Sequence, residues 1–585
     1  MKKLLVVLAL FLSTGLFAQQ SQPIHIKILE TSDVHGCVFP QDLVYQRIRK
    51  GSLAQVQTFV NQQRADKNQS VVLLDNGDIL QGTPFVYYYN YVDTTVTHQL
   101  AVIMNYMKYD AGTVGNHDIE PGHAVYDRFR KEIDFPWMAA NAVDNQTGKP
   151  YFKPYVILHR QGVKIAVLGM ITPAIPNWLP PSIWSGMHFN SMITTARYWV
   201  QYIREHEHPD LLIGLFHSGT DKNYGFDVPG QPVEDASRLV AKEVPGFDVV
   251  LAGHDHKEDN EVVKNSEGKE VLILDPAAHA ENVAVASITL VPQANGKYKK
   301  EIKGQLVSMK AYQPNEAFVK KFMPDFVQVK KFVDRRIGTF TRGMSAENAL
   351  FGPSAFVDFI HRVQLDKTHA DVSLASPLSL WASIDKGPIY VRDLFKLYRF
   401  ENYLYTMKMT GKEIKNALEY SASLWFNTMK NKDSHVLLFK TDARGNLILS
   451  KRNGRPVLQN PYYNFNSAAG IHYTVDLRKE PGHRVHIIST SDGKPFDLNK
   501  TYTVAINSYQ GNGGGGTLTL GAKIPKNELT QRIVHTSKKD IRFMTMEWIE
   551  AHKNIDPQPL NYWKLIPEDW TKPASEKDKK LFFGK

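Results

Sequence analysis

Five short polar clusters in the first half of the chain carry the residue types that hold metal ions. They are Asp33-Val34-His35, Gly77-Asp78, Gly115-Asn116-His117-Asp118, His217, and Gly253-His254-Asp255-His256. Carboxylates, imidazoles and one amide make a mixed oxygen and nitrogen donor set. Such a set suits Zn, Mn, Fe or Co and argues against calcium, which takes oxygen ligands only. Asp33, His35 and His256 are expected to hold one divalent cation, and Asn116, His217 and His254 a second. Asp78 has two carboxylate oxygens and can bridge both. Two such ions, roughly 3.5–4 Å apart, can bind a phosphoryl oxygen, generate hydroxide near neutral pH and stabilise in-line displacement at phosphorus. His117 follows Asn116 directly and cannot easily face the same ion. It is left to act on substrate, as an acid or as an electrostatic stabiliser of the leaving oxygen. Taken singly, each cluster has a plain explanation, since a Gly-Asp after a strand is usually a turn. The ordered set is what points to phosphate-ester hydrolysis.

Each cluster follows a strand-like apolar run: IHIKILET before Asp33, VVLLDNG at Asp78, AGTVG before Asn116, DLLIGLF before His217 and FDVVLAG before His254. In an α/β domain with a mostly parallel sheet, strand ends of this kind converge on one edge, where sites are built. In the second half, LYRFENYLY and NSYQGNGGGG stand out. Aromatic side chains can clamp a nucleobase by stacking, and consecutive glycines let backbone approach a ligand closely.

The segments ETSDVHGCV, LLDNGD, GNHD, FHSG and AGHDH resemble those of the bacterial 5′-nucleotidase and 2′,3′-cyclic-nucleotide 2′-phosphodiesterase family, tightly over residues 25–290 and loosely beyond. The resemblance implies an α/β protein: a calcineurin-like metallophosphatase domain, a four-layer α/β sandwich, followed by an α/β nucleotidase C-terminal domain that supplies most of the nucleoside pocket. All seven ligand positions match, and His117 matches the family's catalytic histidine. Many members place an Asp three residues after that histidine, where this chain has Glu120, which can still orient an imidazole. The base-stacking pair of the family points to Phe400, or Tyr398, opposite Tyr509, with Arg399 between the first two. Members of the 5′ type often carry Asn-x-Gly-Gly-x-Arg near residues 374–383, whereas this chain has LASPLSLWAS and no Arg there. That favours the cyclic-phosphodiesterase/3′-nucleotidase branch. The alternatives are a 5′-nucleotidase, a nucleotide-sugar or thiosulfate-ester hydrolase on the same fold, or a non-catalytic exported metal- or nucleotide-binding protein.

A chain of 585 residues exceeds what one core usually accommodates. The expected divisions are a signal peptide over 1–19, a metallophosphatase domain over 20–305, a linker helix region over 306–345, a nucleotidase C-terminal domain over 346–560 and a basic tail over 561–585. Pro324 is expected to break the linker helix. Lys2 and Lys3 precede LLVVLALFLSTGLFA, a run short for a membrane span, so a cleavable leader and a periplasmic or secreted product are expected. No later run is long enough to cross a bilayer. The single cysteine, Cys37, excludes an intramolecular disulfide. The net charge of +11 sits largely in Lys-rich stretches that read as solvated faces. Nucleotides are therefore the expected partners, with no stable nucleic-acid complex.

Overall fold

The computed structural model describes residues 22–220, 232–450 and 453–584. The leader expected over 1–19 lies outside the described residues. Among them, the Val-, Ile- and Leu-rich runs of the first half build two six-stranded sheets. The first runs in the order Tyr298–Ser308, Asn282–Pro292, Ile24–Thr31, Ser70–Asp75, Ala111–Thr113, Trp137–Met138. The second runs Glu258–Lys264, Glu270–Pro276, Val249–Ala252, Leu211–His217, Val163–Ile171, Tyr155–Arg160. The strands that end at the polar clusters are mutually parallel within each sheet, with antiparallel strands toward one edge of the first and at both edges of the second.

Side chains alternate across a strand, and here both faces are covered. Ile26, Ile28, Val72 and Leu74 of one sheet share a core with Val167, Ile213, Leu215 and Leu251 of the other. On the far side of the first sheet, Leu29 and Leu73 pack in a core with residues of the helices Leu53–Ala65, Gln99–Met107 and His123–Glu132. On the far side of the second, Ala166, Leu168, Leu212 and Val250 pack with residues of Met192–His206 and Ser237–Glu243. The result is the four-layer sandwich.

Glu316–Val333 forms one 18-residue helix, capped by Asn315, whose side chain accepts the Phe318 amide at 2.9 Å. The expected break at Pro324 does not occur. An internal proline costs about 3 kcal/mol, but Phe318, Phe322, Phe326, Val329 and Val333 recur every three or four residues and are all buried in the first domain's core. At roughly 1.5–3 kcal/mol each, that burial outweighs the proline.

Beyond it, a five-stranded sheet runs Ser467–Ala469, Val372–Ala375, Thr501–Asn507, Tyr403–Thr410, Ile533–Asp540. Around Thr410 the chain forms the helix Val391–Leu397, the strand Tyr403–Thr410 and the helix Gly411–Trp425. Thr410 and Glu413 form a reciprocal cap at 3.2 and 2.7 Å. The basic tail expected over 561–585 is instead structured. Trp563–Ile566 pairs in parallel with Ile471–Asp476, and Glu568–Phe583 is a helix. Ala574, Asp578 and Phe582 lie four apart and are buried, so the lysines occupy only the outer face.

Candidate metal centre and substrate cleft

The loops that leave the parallel strands turn abruptly, and the ligand candidates sit on those turns. Asp33, His35, Asp78, His254 and His256 all have positive φ, between 49° and 78°. Non-glycine residues rarely adopt this region, and five together mark a site where position outweighs backbone comfort. Glycines make the close approach possible. A Cβ on Gly115 would lie 2.2 Å from Asp78 Oδ1, and one on Gly253 would lie 2.1 Å from Ser32 Oγ.

These turns bring the seven candidates into two groups that share Asp78. Ligand atoms of Asp33, His35, Asp78 and His256 lie within 4.8 Å of one another, as do those of Asp78, His217 and His254. His35 Nε2 and His256 Nε2 are 3.0 Å apart, and His256 Nε2 is 3.2 Å from Asp33 Oδ1. In the second group, His217 Nε2 is 3.2 Å from Asp78 Oδ1, and Asn116 Oδ1 lies 3.1 Å from His217 Nε2 and 2.8 Å from His254 Nδ1. Acceptors behind the rings fix which nitrogen faces inward. His35 Nδ1 donates to the Gln81 carbonyl at 3.1 Å, His217 Nδ1 to the Asn76 carbonyl at 2.6 Å, and His254 Nε2 to Glu234 Oε1 at 3.0 Å. Each ring is thereby oriented so that its other nitrogen faces its group. Asp33 Oδ2 accepts from Ser32 and from the His254 amide, while the buried Asp33 Oδ1 has, among the described residues, only the His256 ring nitrogen beside it at 3.2 Å. A buried anionic oxygen in that condition is costly unless a cation takes it, so the donor set fits divalent cations.

His117 stands beside both groups without joining either. Its amide donates to Asp78 Oδ1 at 2.8 Å, and its Nδ1 meets Glu120 Oε2 at 2.5 Å. Glu120 thus reaches the ring despite its longer arm. Burial disfavours the charged imidazole, yet the Asp78 and Glu120 carboxylates raise it to about 9. For Asp78, burial pushes the carboxyl up, but the His217 and His117 imidazoles hold it well below the usual range.

The sequence profile of the calcineurin-like phosphoesterases matches residues 26–258, and that of the 5′-nucleotidase C-terminal domain matches residues 336–521. The chain belongs to the 5′-nucleotidase family of calcineurin-like phosphoesterases. The 2′,3′-cyclic-nucleotide 2′-phosphodiesterase/3′-nucleotidase of Haemophilus influenzae is 24% identical, over 96% of this chain and 90% of its own length. The trifunctional nucleotide phosphoesterase protein YfkN of Bacillus subtilis is 25% identical over 97% of this chain, which spans only 41% of that longer protein. A Staphylococcus aureus chain described as a 5′-nucleotidase, solved with alpha-ketoglutarate, has the same fold, with a TM-score of 0.74 at 22% identity over 92% of this chain and 99% of that one. As a member of this metallophosphatase family, the protein is a phosphoester hydrolase that works with divalent metal ions.

In this phosphoesterase a cleft of about 410 Å³ opens over the centre. Asp78, Asn116, His117, Glu120, His254 and His256 line it from the first domain, and Arg399, Phe400, Tyr509 and glycines 513–516 from the second. Gly513, Gly515 and Gly516 have φ of 103°, 67° and 72°, and a Cβ on Gly515 would lie 2.4 Å from Asn464 Oδ1. Tyr398 does not join them. It is 2% exposed, sits in the core with Phe395 and Leu404, and donates its hydroxyl to Asn402 Oδ1 at 3.4 Å. Four residues after Leu394, it continues the buried face of the Val391–Leu397 helix.

Several lining or supporting residues were not anticipated. The Asp118 carboxylate accepts the amides of Asp78, Ile79, Leu80 and Gly115 at 2.7–3.0 Å, stitching two ligand loops together. Asp118 and Asn76 lie within GNHD and LLDNGD; Asn76 Nδ2 donates to Glu30 Oε1 at 2.9 Å and to the Phe216 carbonyl at 3.1 Å, and supporting contacts of this kind leave no spacing signal. Tyr462, Tyr463, Trp178 and Lys526 also line the cleft. Trp178 stacks on His254 with centroids 5.6 Å apart, and burial pushes the Lys526 ammonium down to about 8.

Proposed function

We propose that this chain is an exported nucleotide phosphoesterase whose main substrates are 2′,3′-cyclic nucleotides and 3′-nucleotides. One observation carries the reading: two ligand groups share a single carboxylate beneath a cleft whose other wall, contributed by the second domain, is aromatic. Asp33, His35 and His256 would hold one cation, Asn116, His217 and His254 the other, with Asp78 common to both. Two ions of the Zn, Mn, Fe or Co class supply an activated water for attack on phosphorus and neutralise developing charge when bound. His117, oriented by Glu120, delivers a proton or a hydrogen bond to the leaving ribose oxygen. Phe400 and Tyr509 stack on the base, and Arg399 adds positive charge at the same wall.

The preference for cyclic and 3′ esters rests on the absence of an arginine over 374–383. The activity in the Haemophilus influenzae relative's name agrees with it. The family matches leave residues 259–335 between them, consistent with domains that divide within 306–345. Export rests on the leader-like first 19 residues, and no helix among the described residues is long and apolar enough to cross a membrane. A panel of 2′,3′-cyclic, 3′- and 5′-nucleotides, with added Mn, Zn or Co, tests the reading. Cyclic and 3′ substrates should lead. Preference for 5′-nucleotides would move the protein to the other branch, and no turnover of any nucleotide would overturn the proposal.

A further inference from the structure

Residues 398–402 lead Arg399 and Phe400 into the cleft, yet they belong to no helix or strand. One side chain takes two successive carbonyls of this loop. Arg542, in the first turn of the Ile541–His552 helix, donates Nε to the Tyr398 carbonyl at 3.0 Å and Nη2 to the Arg399 carbonyl at 2.7 Å. Its guanidinium is 1% exposed and lies over the rings of Phe395 and Tyr87, 4.1 and 4.9 Å from their centroids. Nη1 faces Glu401 Oε1 at 3.4 Å, and Glu401 Oε2 accepts the Tyr91 hydroxyl at 3.1 Å. Beside them, the Tyr87 hydroxyl donates to Asp540 Oδ2 at 3.2 Å. Tyr87 and Tyr91 come from the first domain, so the chain Tyr91–Glu401–Arg542 ties the loop to the body that carries the metal centre.

We propose that Arg542 and Glu401 are positioning residues for substrate, fixing how far Phe400 and Arg399 reach over the centre. Removing two charges from water is expensive, and apolar residues of similar size would fill the space more cheaply. The planar fork of an arginine offers what they cannot, several donors in a fixed geometry that matches adjacent carbonyls. A loop held in this way is already ordered before substrate arrives, which spares the ordering cost of binding. What the loop holds depends on the nucleotide reading above; the clamp itself does not.

The test compares wild type with Arg542→Met, with the charge-balanced double variant Arg542→Met/Glu401→Gln, and with Tyr91→Phe, all in the full chain with metals bound. KM for a 2′,3′-cyclic nucleotide should rise by about tenfold or more in both Arg542 variants. Turnover of a small aryl phosphate diester, which reaches only the centre, should stay near wild type. Hydrogen exchange should quicken in peptides covering 398–402, and Arg542→Lys should restore part of the KM. A lower melting temperature with unchanged KM and unchanged exchange over 398–402 would make Arg542 a packing residue and overturn the proposal. Wild type that hydrolyses no nucleotide would sink the functional reading alone, because the exchange measurement still decides whether the clamp exists.

Discussion

The carboxylate of Asp78 lies within reach of both ligand groups and also accepts the His117 amide at 2.8 Å. One side chain therefore joins the two candidate cation positions and anchors His117, the residue proposed to face the leaving group. An amide in its place keeps the shape but loses the charge that two cations share. Asp78→Asn should lower metal content below two ions per chain and turnover with it; wild-type turnover with two metals bound would contradict the bridging role. His117→Asn should behave differently. It should keep both metals and lose roughly 10²–10⁴-fold in rate, the usual scale for acid assistance, and metal analysis alone separates the two outcomes. The clustering of these residues was legible because ligand chemistry restricts residue type and strand ends restrict position. Asp118 and Glu234 were not, because a carboxylate that serves amides or a ring nitrogen looks like any other in sequence.

At the scale of elements, the Glu568–Phe583 helix shows why charge misleads. Its eight acidic and basic residues hide an apolar seam, and one of them, Asp578, sits on that seam, where it accepts the amides of Val436 and Leu437 at 2.7 and 3.0 Å and pairs with His435. Deleting residues 568–585 should therefore unfold the second domain, where trimming a tail would be harmless. Asp578→Ala should cost on the order of 3 kcal/mol by stranding buried donors, read as a lower melting midpoint. The strands of the first domain were legible from unbroken apolar runs. The unbroken helix through Pro324 was not, because the phenylalanines that outweigh the proline do so through partners distant in sequence.

Across the whole molecule the division of labour runs between the two walls of the cleft. Phe400→Ala and Tyr509→Ala should each raise KM for nucleotides by about tenfold per ~1.4 kcal/mol of stacking lost. Hydrolysis of a small aryl diester should barely change, and equal loss on both substrates would place these rings in the core. Stability has its own pH dependence. His98 in the first domain and His361 in the second are each held neutral inside, at about 3, by burial first. His361 bridges Ser373 Oγ at 2.8 Å and Ser467 Oγ at 3.0 Å. As pH falls below the unfolded value of about 6.5, the unfolded chain takes up protons that these rings refuse. Each then withdraws about 1.4 kcal/mol of stability per pH unit until about pH 3. His361→Gln removes one such group, so its deficit against wild type should narrow between pH 6.5 and pH 4 in melting experiments; a constant deficit would show that His361 does not titrate as described.

The left-handed turns at the metal centre invert the ordinary ranking of small residues. Where a chain is helical or extended, glycine is the more destabilising replacement, because it frees the unfolded backbone. His256 has a φ of 58° and an imidazole that is 36% exposed. Alanine there would keep the crowding that left-handed backbone imposes on any L-residue, about 1–2 kcal/mol, whereas glycine escapes it. In protein stripped of metal by a chelator, His256→Gly should consequently melt above His256→Ala, with both equally inactive. The residues at these turns thus hold the backbone away from its own stability optimum. A lineage that lost the chemistry would be expected to drift toward glycine there, which makes glycine at the ligand turns a sign of a retired phosphoesterase.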